Sequence, residues 1–167
     1  PVPPAKEIVL AERGRVPTCA IVIREGASKS ELYAAEELRD FTVKMTGVRL
    51  AIVSDRAELP AKAILVGETR HTAKVLGAAP DLAKLGEDGF RLKAVPPHVL
   101  VIGSPVRGAL YGVYELLERF GGCRWYSSWC TVTPSVDAFA VPADLDDTQT
   151  PAFLCREPCL ARRRFRR

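Results

Sequence analysis

Residues 99–126 read VLVIGSPVRGALYGVYELLERFGGCRWY, and the fold turns on this stretch. Val99, Leu100, Val101 and Ile102 form the short apolar, β-branched run of a buried strand. Ser104 offers a capping hydroxyl and Pro105 suits a first helical position, so the sequence predicts a helix from there. Val106, Ala109, Leu110, Val113, Leu117 and Phe120 recur at helical spacing, and Gly121-Gly122 marks the stop. Gly108 and Gly112, one turn apart, each cost about 1 kcal/mol against alanine in a helix. Their presence predicts a close approach to the helix backbone by the sheet beneath or by another domain. Arg124, Trp125 and Tyr126 then read as a strand.

Working outward, residues 89–95 alternate Phe90, Leu92 and Ala94 with Arg91 and Lys93, and Pro96-Pro97-His98 turns them into the strand at 99–102. That pairing predicts an antiparallel hairpin. Further back, 7–10, 19–24, 50–53 and 63–66 read as strands. Ser28 and Glu31 form a capping box, followed by Leu32, Ala35, Leu38, Phe41, Thr42 and Met45 at helical spacing up to Gly47. A short helix is expected over 69–76 and a loop with one helical turn over 78–86. On the C-terminal side, 131–142 holds two extended pieces, and 144–151 reads as an acidic linker. Strict βαβ alternation is absent, so the expected class is α+β: a mixed sheet with two long helices packed on one face.

Composition narrows the function. At 167 residues and 47% hydrophobic content the chain can bury one core without staples. No run reaches the roughly 18 apolar residues of a membrane helix, and the opening PVPPAKEIVL lacks a charged stretch followed by an apolar signal core. The net charge of +4 resides in the tail: without Arg162, Arg163, Arg164, Arg166 and Arg167, 19 of the 24 basic residues remain against 20 acidic ones. The body, at −1, offers no basic face to support a nucleic-acid arm. No nucleic-acid or membrane partner is expected.

Few residues are arranged for chemistry. Glu115 and Glu118, like Glu36 and Glu37, sit on polar helix faces, and Glu115 is spaced to pair with Arg119. Glycoside hydrolysis instead needs two carboxyl groups facing across a cleft, roughly 5 to 9.5 Å apart. His71 and His98 never join cysteines at a zinc spacing, so neither metal nor cofactor is expected. The five cysteines lack a CxxC pair, and Cys123 with Cys130 is the one bridge worth entertaining against buried thiols. Arg107, at a helix start, can contribute to an anion site. Arg124, Trp125, Tyr126 and Trp129 are the best remaining cluster. Sugars stack on flat aromatic faces and arginine grips a carboxylate with two hydrogen bonds, while protein interfaces favour the same residue types. Both readings, carbohydrate contact and interdomain contact, stay open.

The run from Ser104 to Tyr126 resembles the segment that closes the N-terminal domain of bacterial α-glucuronidases and related glycoside hydrolases. AAEELRDFTVKMTG at 34–47, ILVGET at 64–69 and GEDGFRL at 86–92 agree in order, so the resemblance spans roughly residues 8–158. A similar domain precedes the barrel in β-hexosaminidases. The resemblance implies a zincin-like, hexosaminidase-type accessory domain over 1–143, a linker over 144–158, and a catalytic (β/α)₈ barrel beyond. That barrel, which would carry the catalytic carboxylates, is the expected partner, with an acidic oligosaccharide as the alternative ligand. Exposure of the interdomain face would promote self-association. The parent hydrolase is expected to be exported. Written in GC-rich codons and read one base later, residues 160–167 give Trp-Arg-Asp-Ala-Asp-Phe-Asp, similar to the family's continuation after Arg156-Glu157-Pro158. The Arg-rich tail over 159–167 is therefore expected to reflect a frameshift.

Overall fold

The computed structural model describes residues 6–152. Its strands are β1 (Glu7–Glu12), β2 (Ala20–Ile23), β3 (Ala51–Ser54), β4 (Ala63–Val66), β5 (Phe90–Val95), β6 (His98–Gly103), β7 (Arg124–Ser127), β8 (Cys130–Val132), β9 (Ala138–Pro142) and β10 (Asp146–Gln149). Its helices are α1 (Lys29–Thr46), α2 (Thr72–Leu76), α3 (Leu82–Leu85) and α4 (Gly108–Arg119). The architecture is mixed α/β around a mixed sheet.

The capping box sets the start of α1. Glu31 N donates to Ser28 Oγ at 3.1 Å while the Glu31 carboxylate accepts from Ser28 N at 2.8 Å, which satisfies two donors the helix end would leave free. The helix ends at Gly47, as expected. Ala34, Ala35, Leu38, Phe41 and Met45 are buried, but Leu32 is exposed, on the outer edge of the stripe.

Six strands lie in the order β10-β5-β6-β4-β2-β3. The hairpin β5–β6 is antiparallel, as expected, with Leu92 opposite Val101. The neighbouring pairs β6–β4, β4–β2 and β2–β3 are parallel, and α1 forms the crossover between β2 and β3. The mixed sheet was expected; a parallel half built through helical crossovers was not. Its strands β2, β4 and β6 are buried on both faces, which is why they read as continuous apolar runs, while β3 lies at the exposed edge. Ile21, Ile64, Val66, Val99 and Val101 share one core cluster with α1 and α4. Val22, Leu65, Leu100 and Ile102 point the other way, against Leu85 and the partly buried Val75 and Leu76 of the short helices. The ribbon β1–β9 adds Leu10, Phe139 and Val141 to the first cluster.

Helix α4 begins later than the sequence predicts. Ser104 does not cap it: its Oγ donates to Glu87 O at 2.6 Å, and a turn through 105–107 precedes Gly108. Val106 is accordingly exposed. The close approach is to the sheet. A Cβ on Gly108 would strike the Gly89 carbonyl, and one on Gly112 would lie 2.6 Å from Val101 Cγ1.

The acidic stretch expected as linker contains a sheet strand. Asp146–Gln149 pairs antiparallel with β5, and Leu145 is buried. Asp146 accepts from Arg91 Nε and Nη2 at 2.7 and 2.9 Å and from Lys93 Nζ at 2.6 Å. DDTQ carries no apolar period, so the buried Leu145 before it and charge pairing at the sheet edge hold it. The rest of the expected linker from residue 153 and the tail at 159–167 lie outside the described residues. No helix among the described residues is long and apolar enough to cross a membrane.

Candidate functional site

The hairpin β7–β8 follows α4 and carries most of the predicted site. Arg124 Nη1 donates to the carbonyls of Glu118 and Cys123, both at 2.7 Å, and lies 3.7 Å from the Glu118 carboxylate. A cation there complements the carbonyl end of the helix. One arm of its guanidinium is thus committed to α4, while 43% of the side chain stays exposed.

Trp125 is half-buried. Its ring meets Phe41 of α1 edge-on at 5.1 Å and Tyr114 of α4 at 4.9 Å. Such T-shaped contacts satisfy the ring quadrupoles and root the hairpin between the helices. The Tyr114 hydroxyl donates to Glu37 Oε2 at 2.8 Å. Burial first, then this hydrogen bond, pushes the phenol above its ordinary value and keeps it a donor. Beyond Trp125 the hairpin is open: Tyr126 is 70% exposed and Trp129 89% exposed.

Arg107 stands apart. It precedes α4, whose 12 residues span about 18 Å, whereas Arg124 follows the other end. Arg107 donates to Glu87 Oε2 at 3.0 Å and to Asp88 Oδ1. The structure therefore groups Arg124, Trp125, Tyr126 and Trp129 on one hairpin and leaves Arg107 at a separate ion pair.

Of the candidate carboxylates, Glu37, Glu115 and Glu118 have local partners. Glu115 accepts from Gln149 Nε2 at 3.0 Å, while Arg119, its expected partner, binds Asp147 at 2.7 Å instead. β10 thus intercepts a pair that helix spacing alone would predict. Sequence reasoning also missed two buried carboxylates at the carboxyl ends of the parallel strands. Glu31 accepts from Arg24 Nε at 3.0 Å, and Asp55 accepts the backbone N–H groups of Glu25 and Arg70 at 2.8 and 2.9 Å. They fasten the loops after β2, β3 and β4. The capping box was the only signal for Glu31, and Asp55 had none.

The other candidate chemistries find little support. Among the described residues, no group of three or more His, Cys, Asp or Glu is placed to hold a metal ion. Cys123 and Cys130 are free thiols rather than a bridge, and Cys123 Sγ lies 3.6 Å from Met45 Sδ. Burial pushes the Cys19 thiol up to about 12 and raises that of Cys123, so both stay protonated near neutral pH. A cleft of about 420 Å³ opens beside β1, between Glu12, Val16 and Lys62. None of the predicted site residues lines it.

A family model described as "Glycosyl hydrolase family 67 N-terminus" matches residues 11–116. The chain belongs to this family. It is the N-terminal domain type of α-glucuronidase-like glycoside hydrolases. Alpha-glucuronidase A of Emericella nidulans is 30% identical over 120 residues, covering 71% of this chain and 14% of that protein. A probable α-glucuronidase A of Aspergillus fumigatus is 25% identical over 137 residues, covering 73% and 16%. The chain therefore spans only about one-seventh of the length of these curated relatives.

Two solved structures share the fold. A family GH115 4-O-methyl-α-glucuronidase with specificity for decorated arabinogalactans superposes on 84% of this chain and 18% of its own at a TM-score of 0.61 and 18% identity. The GH20 β-N-acetylhexosaminidase of Streptomyces coelicolor A3(2) superposes on 87% of this chain and 26% of its own, with a TM-score of 0.54 and 16% identity. The family 67 N-terminal domain thus has the expected hexosaminidase-like relatives in fold.

Proposed function

We propose that this chain is a non-catalytic accessory domain that buttresses the catalytic (β/α)₈ barrel of an α-glucuronidase-like hydrolase. The parent's substrate class would be uronate-bearing plant polysaccharide such as glucuronoxylan. The observation that carries this reading is the family match over residues 11–116, beside local pairing of Glu115, Glu31 and Asp55. The zincin-like type, with α1 and α4 as its two long helices, belongs to the same reading. So does a connection to the barrel that starts after β10 rather than at residue 144. Tyr126 and Trp129 are the interdomain contacts, Arg124 and Trp125 hold their hairpin in place, and Arg107 fixes the turn before α4.

The exposure of Trp129 favours a second reading, in which the hairpin binds acidic oligosaccharides directly. Titration with glucuronic acid and uronate-bearing xylo-oligosaccharides, followed by tryptophan fluorescence beside a hydrolysis assay, separates the two. Silence in both from a folded sample supports the buttress. Saturable binding lost in Trp129→Ala supports the sugar site, and turnover by this chain overturns both.

A further inference from the structure

The outer surface of the helix pair continues the hairpin's exposed aromatic surface. α1 and α4 start side by side, joined where Ser28 Oγ donates to Pro105 O at 2.6 Å. On α1, Tyr33, Glu37 and Phe41 follow at i, i+4 and i+8 and so share one stripe. On α4, Tyr111, Tyr114 and Glu118 do the same at i, i+3 and i+7. The two stripes meet where Tyr114 binds Glu37, and Trp125 packs on both helices just beyond. Above this seam Tyr33 is 49% and Tyr111 42% exposed, and past Trp125 the surface runs on to Tyr126 and Trp129. Large aromatic side chains rarely line a surface end to end unless something covers them.

The chain itself points to the occupant. β10 is bound along α4 through Asp147 to Arg119 and through Gln149 to Glu115, so the polypeptide leaves the sheet beside this surface. The curated relatives are about seven times longer than the segment they share with this chain. We propose, resting on the accessory-domain reading, that the seam of α1 and α4 together with the β7–β8 hairpin is the seat of the downstream catalytic region. Tyr33 and Tyr111 contact it along the helices and Trp129 anchors it at the far end. Glu36, exposed beside Tyr33, and Lys44, over Phe41, give the seam both signs of charge, so the matching surface is an apolar cleft with a mixed polar rim. The outer side of α2 and α3, on the opposite face of the sheet, stays open to solvent.

The test mixes the full chain with Emericella nidulans alpha-glucuronidase A from which the shared 120-residue segment has been removed. Association is read by calorimetry, and protection of Tyr33, Tyr111 and Trp129 by hydroxyl-radical footprinting. Tyr111→Arg and Trp129→Ala are each expected to weaken association by about tenfold or more, as central anchors do. Their melting curves should match the unaltered chain, because both side chains are exposed. Ala73→Arg, on α2, should change nothing. If association survives Tyr33→Arg, Tyr111→Arg and Trp129→Ala, the seat is elsewhere and only the accessory reading stands. If the unaltered chain fails to associate, that reading falls and takes the seat with it. A dimer of this chain, present without the hydrolase and abolished by Tyr111→Arg, would give the surface to a second copy and overturn the proposal.

Discussion

On its inner side α4 lies so near the sheet that Gly108 and Gly112 leave no room for a methyl group, whereas on its outer side Tyr111 and Glu118 face solvent and the packed contact is made by Tyr114 with Trp125. The inner side is specified by volume: Ala109, Val113, Leu116 and Leu117 are fully buried against β5 and β6. The outer side is specified by a few directed contacts and otherwise ends at solvent. One helix thus carries both part of the core of this domain and an exposed aromatic face.

The contrast predicts a graded response to substitution, steepest on the inner side. Leu117→Ala should cost about 2–5 kcal/mol in denaturant unfolding, since it opens a cavity in a close-packed core. A loss below about 1 kcal/mol there would mean that the inner side is loosely packed and that the two sides do not differ. Trp125→Ala comes next, at roughly 2 kcal/mol. A fully buried Trp→Ala change costs about 3–5 kcal/mol, and Trp125 is only half-buried. Hydrogen exchange should then quicken in β7–β8 while β4 and β6 stay protected, which separates loss of the hairpin's root from loss of the core.

Asp146→Asn tests a third kind of hold, charge at the sheet edge. Arg91 and Lys93 hold the Asp146 carboxyl well below the usual carboxylate range. A carboxyl depressed by folding adds stability that is complete above its unfolded value of roughly 4 and is lost as pH falls through the folded value. With 41% of its side chain exposed, the pair is screened, and Asp146→Asn should cost only about 0.5–1 kcal/mol at pH 7. The same substitution should flatten the acid limb of the stability profile below about pH 4. If wild type and variant lose stability in parallel there, β10 is not held by this carboxylate.

How much of this was legible beforehand depended on what positioned each element. Residues 28–47 announced α1 through a capping box and a closing glycine, and 89–103 announced the β5–β6 hairpin through alternation and two prolines. The parallel pairing of β6, β4 and β2 was hidden because strands buried on both faces show no period, and register is set by crossovers far away in the chain. β10 was invisible for the opposite reason, since DDTQ is polar on both sides and owes its place to Arg91, Lys93 and Arg119. The same long-range pairs misdirected the reading of Arg119. Among the site residues, composition singled out Trp125 and Trp129 together, but only the structure separates a root from a tip. Tyr33 and Tyr111 fall outside both predicted apolar stripes, and only the pairing of α1 and α4 brings them onto one surface.

The smallest expected effect is the most discriminating. Trp129→Ala should change stability by no more than about 0.5 kcal/mol, as surface substitutions do, although it removes the largest side chain type from the same hairpin as Trp125. The chain has two tryptophans, so single Trp→Phe variants assign the fluorescence of each. In Trp125→Phe the remaining emission, from Trp129, should be red-shifted and readily quenched by acrylamide. In Trp129→Phe it should be bluer and shielded by Phe41 and Tyr114. Equal quenching would mean that the tip folds back onto the domain, and the outer side of α4 would then be as closed as the inner. Unequal quenching, with stability untouched by Trp129→Ala, would mean that the most exposed aromatic ring contributes nothing to the fold that displays it. Its selection must then be sought in what it meets outside this domain.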